Sequence, residues 1–160
     1  MTPQRIIWHH SADDSQEHQF DKINLDHQSK DFPVSATGFY VGYHWLIEPD
    51  GEVKQARPED EIGAHDKGEN LNSIGICLAG NFNAFLPSEE QAAAAAKLVG
   101  EIRSRWPIPI NRIEPHRWDD TTDCPGLNLP DNWLILEYLK RHESHVVRAF
   151  AAHGHCMDLF

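Results

Sequence analysis

The sequence predicts an α/β fold: a single domain in which helices flank a central mixed β-sheet. Two observations predict this fold. Short apolar runs that suit buried strands alternate with longer segments in which apolar residues recur at helical spacing. The chain has 160 residues, the usual size of one domain with its own hydrophobic core. We expect the domain to cover residues 1–142 and a C-terminal extension to follow at residues 143–160.

The first quarter of the chain predicts a strand, a helix and a loop. Arg5–His10 (RIIWHH) is a short apolar run that ends in polar residues, as a buried strand does when it reaches a sheet edge. Ser15–Lys30 carries apolar residues at helical spacing, and Ser15 is a suitable N-cap. Asp31–Val41 contains a proline and a glycine, and we predict a loop there.

The middle of the chain predicts a β-hairpin and a further buried strand. Gly42–Glu48 and Glu52–Ala56 flank Pro49-Asp50-Gly51, in which the order of residues favours a tight turn. Ser73–Ala79 (SIGICLA) is a nearly continuous apolar run, which suits a strand covered on both faces. Its Cys77 is therefore predicted to lie in the core.

Two helices complete the predicted fold. Ser88–Trp106 has a capping box formed by Ser88 and Gln91, acidic residues in its first turn and a proline after its end. A final helix is predicted from Asp131 to about His142, where large apolar residues recur at helical spacing.

The charge balance excludes some classes of partner. The chain has 14 Lys and Arg against 25 Asp and Glu, a formal net charge of −11. Long-range electrostatics would repel nucleic acids and anionic membranes, so we expect neither as a partner. No apolar run reaches membrane-spanning length, and the chain reaches His9 before a signal-peptide core could form. We therefore expect synthesis in the cytoplasm without a signal peptide; the sequence does not indicate an oligomeric state.

Two adjacent histidines end the first predicted strand, and the eleven histidines of the chain are a generous supply of possible metal ligands. Strand alternation places His9 and His10 on opposite faces, so at most one of them easily joins a given site. A simple alternative is that one packs in the core and the other is solvated. The spacing alone does not choose between them.

A polar loop, His116–Gly126 (HRWDDTTDCPG), begins with a histidine and contains Cys124 near its end. Zinc binds imidazole nitrogen and thiolate sulfur readily, and a loop of this length can fold back to offer both. Unrelated loops also hold one histidine and one cysteine, so the pattern by itself is weak evidence for a metal. The cysteines, which include Cys77 and Cys156, are odd in number and lack the spacing of a disulfide framework.

Six motifs occur in one order along the chain. They are Trp8–Ala12 (WHHSA), Gly42–Ile47 (GYHWLI), Asp50-Gly51, Gly63–His65 (GAH), Asn72–Gly80 (NSIGICLAG) and His116–Gly126. Together, from about Ile6 to about Tyr138, they resemble the amidase-2 family of N-acetylmuramoyl-L-alanine amidases, which includes phage endolysins and peptidoglycan-recognition proteins. The resemblance implies the same fold and a zinc-dependent, endolysin-like enzyme. Its substrate would be bacterial peptidoglycan, in which it hydrolyses the amide between N-acetylmuramic acid and L-alanine.

The resemblance also implies a ligand set. His9 is in step with the first zinc ligand of the family, whereas His10 falls at a neighbouring, variable position. The remaining ligands would be His116 and Cys124. Three protein ligands leave a fourth position for water, which is the open arrangement of a catalytic zinc site.

Four further residues have roles implied by the resemblance. A tyrosine in the GYH motif and the residue two before the cysteine ligand assist the metal in the family, which implies Tyr43 and Thr122 as catalytic residues. Endolysins usually carry lysine at the second position, whereas catalytically active peptidoglycan-recognition proteins carry threonine. His65 and Asn72 would lie near the substrate groove. The plain alternatives are that Tyr43 only packs and that His65 and Asn72 hydrogen-bond a loop backbone.

A second interpretation of the resemblance is a peptidoglycan-binding module without turnover. Non-catalytic relatives commonly lack the cysteine ligand, and this chain has Cys124, so the resemblance favours catalysis. A zinc peptidase of the HExxH type is not indicated, because the sequence has no such motif. An amidase without a signal peptide would reach the cell wall after lysis, by holin release or through a dedicated secretion route.

The end of the chain is rich in histidine. His142, His145, His153, His155 and Cys156 could be imagined as a second metal site. Nothing in their spacing orients the later cluster against the earlier one. We therefore predict a solvated or partly ordered extension.

Overall fold

The structure, a computed structural model that describes residues 1–152, is built around a five-stranded sheet. The strands are β1 Arg5–His10, β2 Trp45–Ile47, β3 Val53–Gln55, β4 Ser73–Leu78 and β5 Ile113–Pro115. The helices are α1 Phe20–Ser29, α2 Glu89–Arg105 and α3 Trp133–Ala152, and short 3-10 helices cover Ile110–Arg112 and His116–Trp118. The strand order is β3-β2-β4-β1-β5, in which β3 is antiparallel to β2 and the other neighbours are parallel. This mixed sheet confirms the predicted fold class.

The two faces of the sheet pack against different helices. Ile6 and Trp8 of β1 belong to the main apolar cluster, which includes residues of β4, α2 and α3. Cys77 lies on the opposite face in a smaller cluster with Phe20 of α1, and is fully buried as predicted. Because side chains alternate along a strand, His9 also points to this second face. The second face is therefore where a site can form.

β5 is an element that the sequence did not predict. It has three residues and lies between two short 3-10 helices, so it is too short to show an alternating pattern. It pairs in parallel with β1, and Trp8 lies opposite Pro115 at the end of the pairing. The next residue of β1 is His9, and the residue that directly follows β5 is His116. The pairing therefore places these histidines side by side.

α1 begins at Phe20, five residues after the Ser15 cap that the sequence predicted. The Ser15 side chain instead accepts a hydrogen bond from the backbone of Glu17. The backbone N–H groups of Gln19 and Phe20 donate to the buried carboxylate of Glu48, which follows β2. A contact with another part of the fold thus sets the helix start, and no local pattern encodes it.

α2 confirms the predicted helix and its N-cap, but Gln91 has a different role. Ser88 Oγ accepts a hydrogen bond from the Gln91 backbone at 3.0 Å. In a capping box the Gln91 side chain would return to the backbone N–H of Ser88. Instead, Gln91 Nε2 donates to the carbonyl groups of Ile47 and Ala79, each at 2.9 Å. This buried amide ties α2 to the ends of β2 and β4.

α3 continues to Ala152, ten residues beyond the predicted end near His142. The predicted domain boundary after residue 142 therefore falls within this helix. His153, His155 and Cys156 of the predicted extension lie outside the described residues. Over residues 1–152, no helix combines the length and the apolar content that crossing a membrane requires.

Replacement of Gln91 by alanine should destabilise the fold. The change leaves the carbonyl groups of Ile47 and Ala79 buried without this donor, which lowers the free energy of unfolding by about 2 kcal/mol. Gln28→Ala, at an exposed position of α1, is the matched control and should change it by less than about 0.5 kcal/mol. Urea denaturation followed by circular dichroism measures both. Equal losses in the two variants would contradict the role given to Gln91.

Candidate metal centre

Three potential metal ligands meet at the carboxyl edge of the sheet. His9 lies near the end of β1, His116 directly follows β5, and Cys124 lies in the loop beyond it. One ligand atom from each residue can be chosen so that all lie within 4.8 Å of one another. Cys124 Sγ is 3.7 Å from His9 Nδ1, and the ring centroids of His9 and His116 are 4.4 Å apart. The structure thus brings together the three predicted ligands.

The loop that carries Cys124 is folded back by its own hydrogen bonds. The backbone N–H of Arg117 donates to the carbonyl of Cys124 at 2.9 Å, which closes the loop. The Arg117 guanidinium donates to the carbonyl groups of Gly126 and Leu129. Thr122 Oγ1 accepts a hydrogen bond from the Cys124 backbone at 3.2 Å. These contacts hold the thiol towards β1.

His10 has a structural role on the other face of β1. Its Nδ1 accepts a hydrogen bond from the Phe82 backbone at 3.1 Å, and its ring packs beside that of Phe82. Its backbone N–H lies 3.4 Å from Cys124 Sγ and donates to it. The imidazole of His10 is therefore used in the core, whereas His9 faces the candidate centre.

Burial sets the protonation of the three candidate ligands. It lowers the pKa of His9 and of His116, so both imidazoles are held in the neutral form that a metal requires. Burial also raises the pKa of the Cys124 thiol to about 12, although the His10 backbone N–H and the Arg117 charge oppose this shift. A bound cation would favour the thiolate and release its proton. The site therefore has the chemistry of a centre that takes up a metal ion.

The hydrogen bonding of the two imidazoles leaves one nitrogen of each for a metal. His9 Nε2 lies 3.1 Å from His65 Nδ1, while His9 Nδ1 faces Cys124. His116 Nδ1 is buried and has no hydrogen-bond partner among the described residues, while its Nε2 faces Asp66. A buried nitrogen without a partner is costly unless something binds it. The donor set of two imidazoles and one thiol therefore fits a metal ion.

His65 contacts His9 and also lines a cavity. Its ring occupies the space above Gly75 of β4, where a Cβ atom would come within 2.5 Å of the ring. His65 Nε2 lies 3.4 Å from the hydroxyl of Ser73. The same ring lines a cavity of about 450 Å³ that also reaches His116. His65 is thus placed between a candidate ligand and an open space.

Tyr43 is close to the centre, whereas Asn72 is not. The ring centroid of Tyr43 lies 5.1 Å from that of His9, and burial raises the pKa of its phenol well above the usual 10. The phenol is therefore a neutral hydrogen-bond donor. Asn72 precedes β4 at its other end, about 16 Å along the strand from Cys77, which pairs with His9. The structure does not bring Asn72 to the three candidate ligands.

Asp66 is a residue near the centre that the sequence did not single out. It is only 3% exposed, and its Oδ1 lies 3.9 Å from His116 Nε2. Burial, together with the nearby Asp119, raises the pKa of its carboxyl to about 6. Fifty residues separate Asp66 from His116 in the sequence, so no spacing could have joined them. The only signal was an acidic residue directly after the GAH motif.

The fold and the site together define an α/β protein with a candidate metal centre of two histidines and one cysteine at the carboxyl edge of its sheet. The family model described as N-acetylmuramoyl-L-alanine amidase, amidase-2, matches residues 1–127. The chain belongs to this amidase family. The resemblance read from its six motifs is thereby confirmed.

Relatives of two kinds are similar to this chain in sequence. The chain is 51% identical over 100 residues to the endolysin of Escherichia phage T7, across 58% of this chain and 64% of the endolysin. It is 38% identical over 90 residues to peptidoglycan-recognition protein SC2 of Drosophila melanogaster, across 56% of this chain and 49% of that protein. The matched regions therefore span about half to two thirds of these relatives.

Solved structures also resemble the fold. N-acetylmuramoyl-L-alanine amidase LysC from Clostridium intestinale URNW gives a TM-score of 0.73 at 27% identity, over 89% of this chain and 87% of LysC. A second similar structure is the ectodomain complex of the peptidoglycan recognition proteins PGRP-LCa and PGRP-LCx bound to tracheal cytotoxin. That structure gives a TM-score of 0.69 at 29% identity, over 81% of this chain and 79% of the matched chain.

Cys124→Ala should lose most of its bound zinc, because the variant lacks the ligand atom that carries negative charge when a metal is bound. Cys77→Ala is the matched control: that thiol lies in the core and outside the group of candidate ligands, so we expect it to retain zinc. Metal analysis of both variants after purification with zinc makes the comparison. Full zinc occupancy in Cys124→Ala would contradict the assignment of this ligand.

Proposed function

We propose that the protein is a zinc-dependent N-acetylmuramoyl-L-alanine amidase of the endolysin type. It hydrolyses the amide between N-acetylmuramic acid and L-alanine in bacterial peptidoglycan. The observation that carries the proposal is the convergence of His9, His116 and Cys124 in a chain of the amidase family. The reaction adds water across the amide and yields a lactyl carboxylic acid and the free amine of alanine.

The three candidate ligands support a catalytic rather than a structural zinc. Nδ1 of His9, Nδ1 of His116 and Sγ of Cys124 would hold the ion, and the fourth position would stay open. A zinc ion in such a site supplies Lewis acidity towards a carbonyl oxygen and a water nucleophile at neutral pH. The open position and the neighbouring cavity would together admit a carbonyl group.

Tyr43 and Thr122 would bind the carbonyl oxygen on which negative charge develops. The raised pKa of Tyr43 keeps its hydroxyl protonated, so the phenol can donate a hydrogen bond. Thr122 Oγ1 already accepts from the Cys124 backbone, which leaves its own O–H free to donate. Donors fixed in place before the reaction stabilise developing charge without reorganisation.

The cavity beside His116 is the proposed site for the stem peptide. It is about 450 Å³ in volume and is lined by His65, Asn70 and His116, together with charged residues of both signs such as Lys67 and Asp120. A mixed lining of this kind suits a peptide with both amide and charged groups. The tracheal cytotoxin bound in a similar structure supports the assignment of a wall fragment as ligand. The role predicted for His65 in substrate binding fits this cavity.

A binding module without turnover is the alternative, and product analysis separates the two. Purified peptidoglycan is incubated with the zinc-loaded protein, and the soluble products are examined by mass spectrometry. An amidase releases free stem peptides with an N-terminal alanine, whereas a binding module releases none and only co-sediments with the wall.

Tyr43→Phe should keep its zinc but release stem peptide at least about tenfold more slowly, because the phenol donor is lost while the ligands remain. Tyr40→Phe, a tyrosine outside the candidate centre, is the matched control and should retain normal activity. Zinc content and the rate of peptide release are measured for both proteins. Undiminished release by Tyr43→Phe would rule out the catalytic role of Tyr43.

A further inference from the structure

We propose that Asp66 is a positioning residue for His116, and that its carboxylate accepts the N–H of His116 Nε2 when Nδ1 binds the metal. The proposal rests on the metal centre of the proposed function. It deepens that function, because it names a residue outside the ligand set on which metal affinity depends.

The geometry of the His116 ring leads to Asp66. The ring has one buried nitrogen without a partner, Nδ1, and one nitrogen that faces a carboxylate, Nε2. An imidazole that binds a metal through one nitrogen carries a hydrogen on the other, and that hydrogen needs an acceptor. Among the described residues, Asp66 is the one carboxylate within 4.0 Å of His116 Nε2.

The distance between the two groups leaves room for adjustment on metal binding. Asp66 Oδ1 is 3.9 Å from His116 Nε2, which is longer than a hydrogen bond. A ring shift of about 1 Å would close the gap. The backbone N–H of Asp66 donates to Asn70 Oδ1 at 3.1 Å, so the loop fixes the backbone that carries the carboxylate.

Structural stability does not account for Asp66. Its Oδ2 is buried and has no hydrogen-bond partner among residues 1–152, and Asp119 lies close by. The nearby guanidinium of Arg5 is bound by Glu69, Glu114 and Asp119 rather than by Asp66. A buried carboxylate beside another one, without a cation of its own, destabilises the metal-free fold. A positively charged metal centre next to it removes that cost.

Charge complementarity points the same way. A zinc ion bound to two neutral imidazoles and one thiolate has a net charge of about +1. The Asp66 carboxylate behind His116 would neutralise this charge at a distance of one imidazole ring. Removing Asp66 should therefore lower the affinity for zinc. The same change should raise the stability of the metal-free protein, an effect of opposite sign.

The test compares Asp66→Asn and Asp66→Ala with the control Asp21→Asn, which removes an exposed carboxylate from α1, outside the cavity. Zinc affinity is measured by competition with a chelator, and the melting temperature is measured on the metal-free proteins. We expect zinc to bind about 10 to 100 times more weakly to Asp66→Ala, with a smaller loss for Asp66→Asn. We expect the control to match the unchanged protein within about twofold.

The melting temperature separates a positioning role from a structural one. If Asp66 only positions His116, both metal-free Asp66 variants melt at the same temperature as the unchanged metal-free protein or at a higher one. The absorption spectrum of the Co²⁺-loaded protein, which reports ligand geometry, should shift in Asp66→Ala and stay unchanged in the control.

Two results would overturn the proposal. One is unchanged zinc affinity in both Asp66 variants, and the other is a weaker affinity accompanied by a lower melting temperature of the metal-free Asp66→Asn protein. Neither readout depends on peptide release. A protein that binds zinc in the expected Asp66-dependent manner but releases no stem peptide would refute the amidase function and leave the role of Asp66 intact.

Discussion

The parallel pairing of β5 with β1 is the constraint on which the candidate metal centre depends. Neighbouring parallel strands end at the same sheet edge, so the residues that follow them meet there. This places His116 beside His9, and the loop that returns after His116 then brings Cys124 to both. Ile113 is fully buried in the main core with Ile6, which fixes the pairing. A slip of one residue would turn the histidine away from the centre.

The second face of the sheet, where the candidate site forms, contains groups that lower the stability of the fold. In its middle Gly75 carries no side chain, and the ring of His65 fills the space that a side chain would take. Among residues 1–152, Nδ1 of His116 and Oδ2 of Asp66 are buried without a hydrogen-bond partner. Such groups are costly in a core, and the apolar face of the same sheet has one as well, Nε1 of Trp8. Two of these groups next to the candidate ligands are typical of a functional site.

Local sequence signals predicted the elements that depend on local interactions, and failed where distant contacts decide. β1 and α2 were predicted closely because an apolar run and a capping serine mark them. The start of α1 depends on Glu48, which lies far along the chain, and β5 has too few residues to form a pattern. At the centre, alternation limited the choice to one of two histidines and the family resemblance selected His9. Asp66 could not be found, because only the fold brings it to His116.

The loop that carries Cys124 has Thr122 at the position where the family resemblance implies lysine in most endolysins. The charge of Arg117 opposes the burial that raises the pKa of Cys124, and its guanidinium donates to the backbone of Gly126, so Arg117 is committed to the loop. Thr122 binds the same loop through its oxygen and keeps one hydrogen to donate. In the proposed enzyme, a bound metal would supply positive charge at the substrate oxygen. Burial would strengthen the hydrogen bond that Tyr43 donates in that enzyme, because a hydrogen bond is stronger where water is excluded.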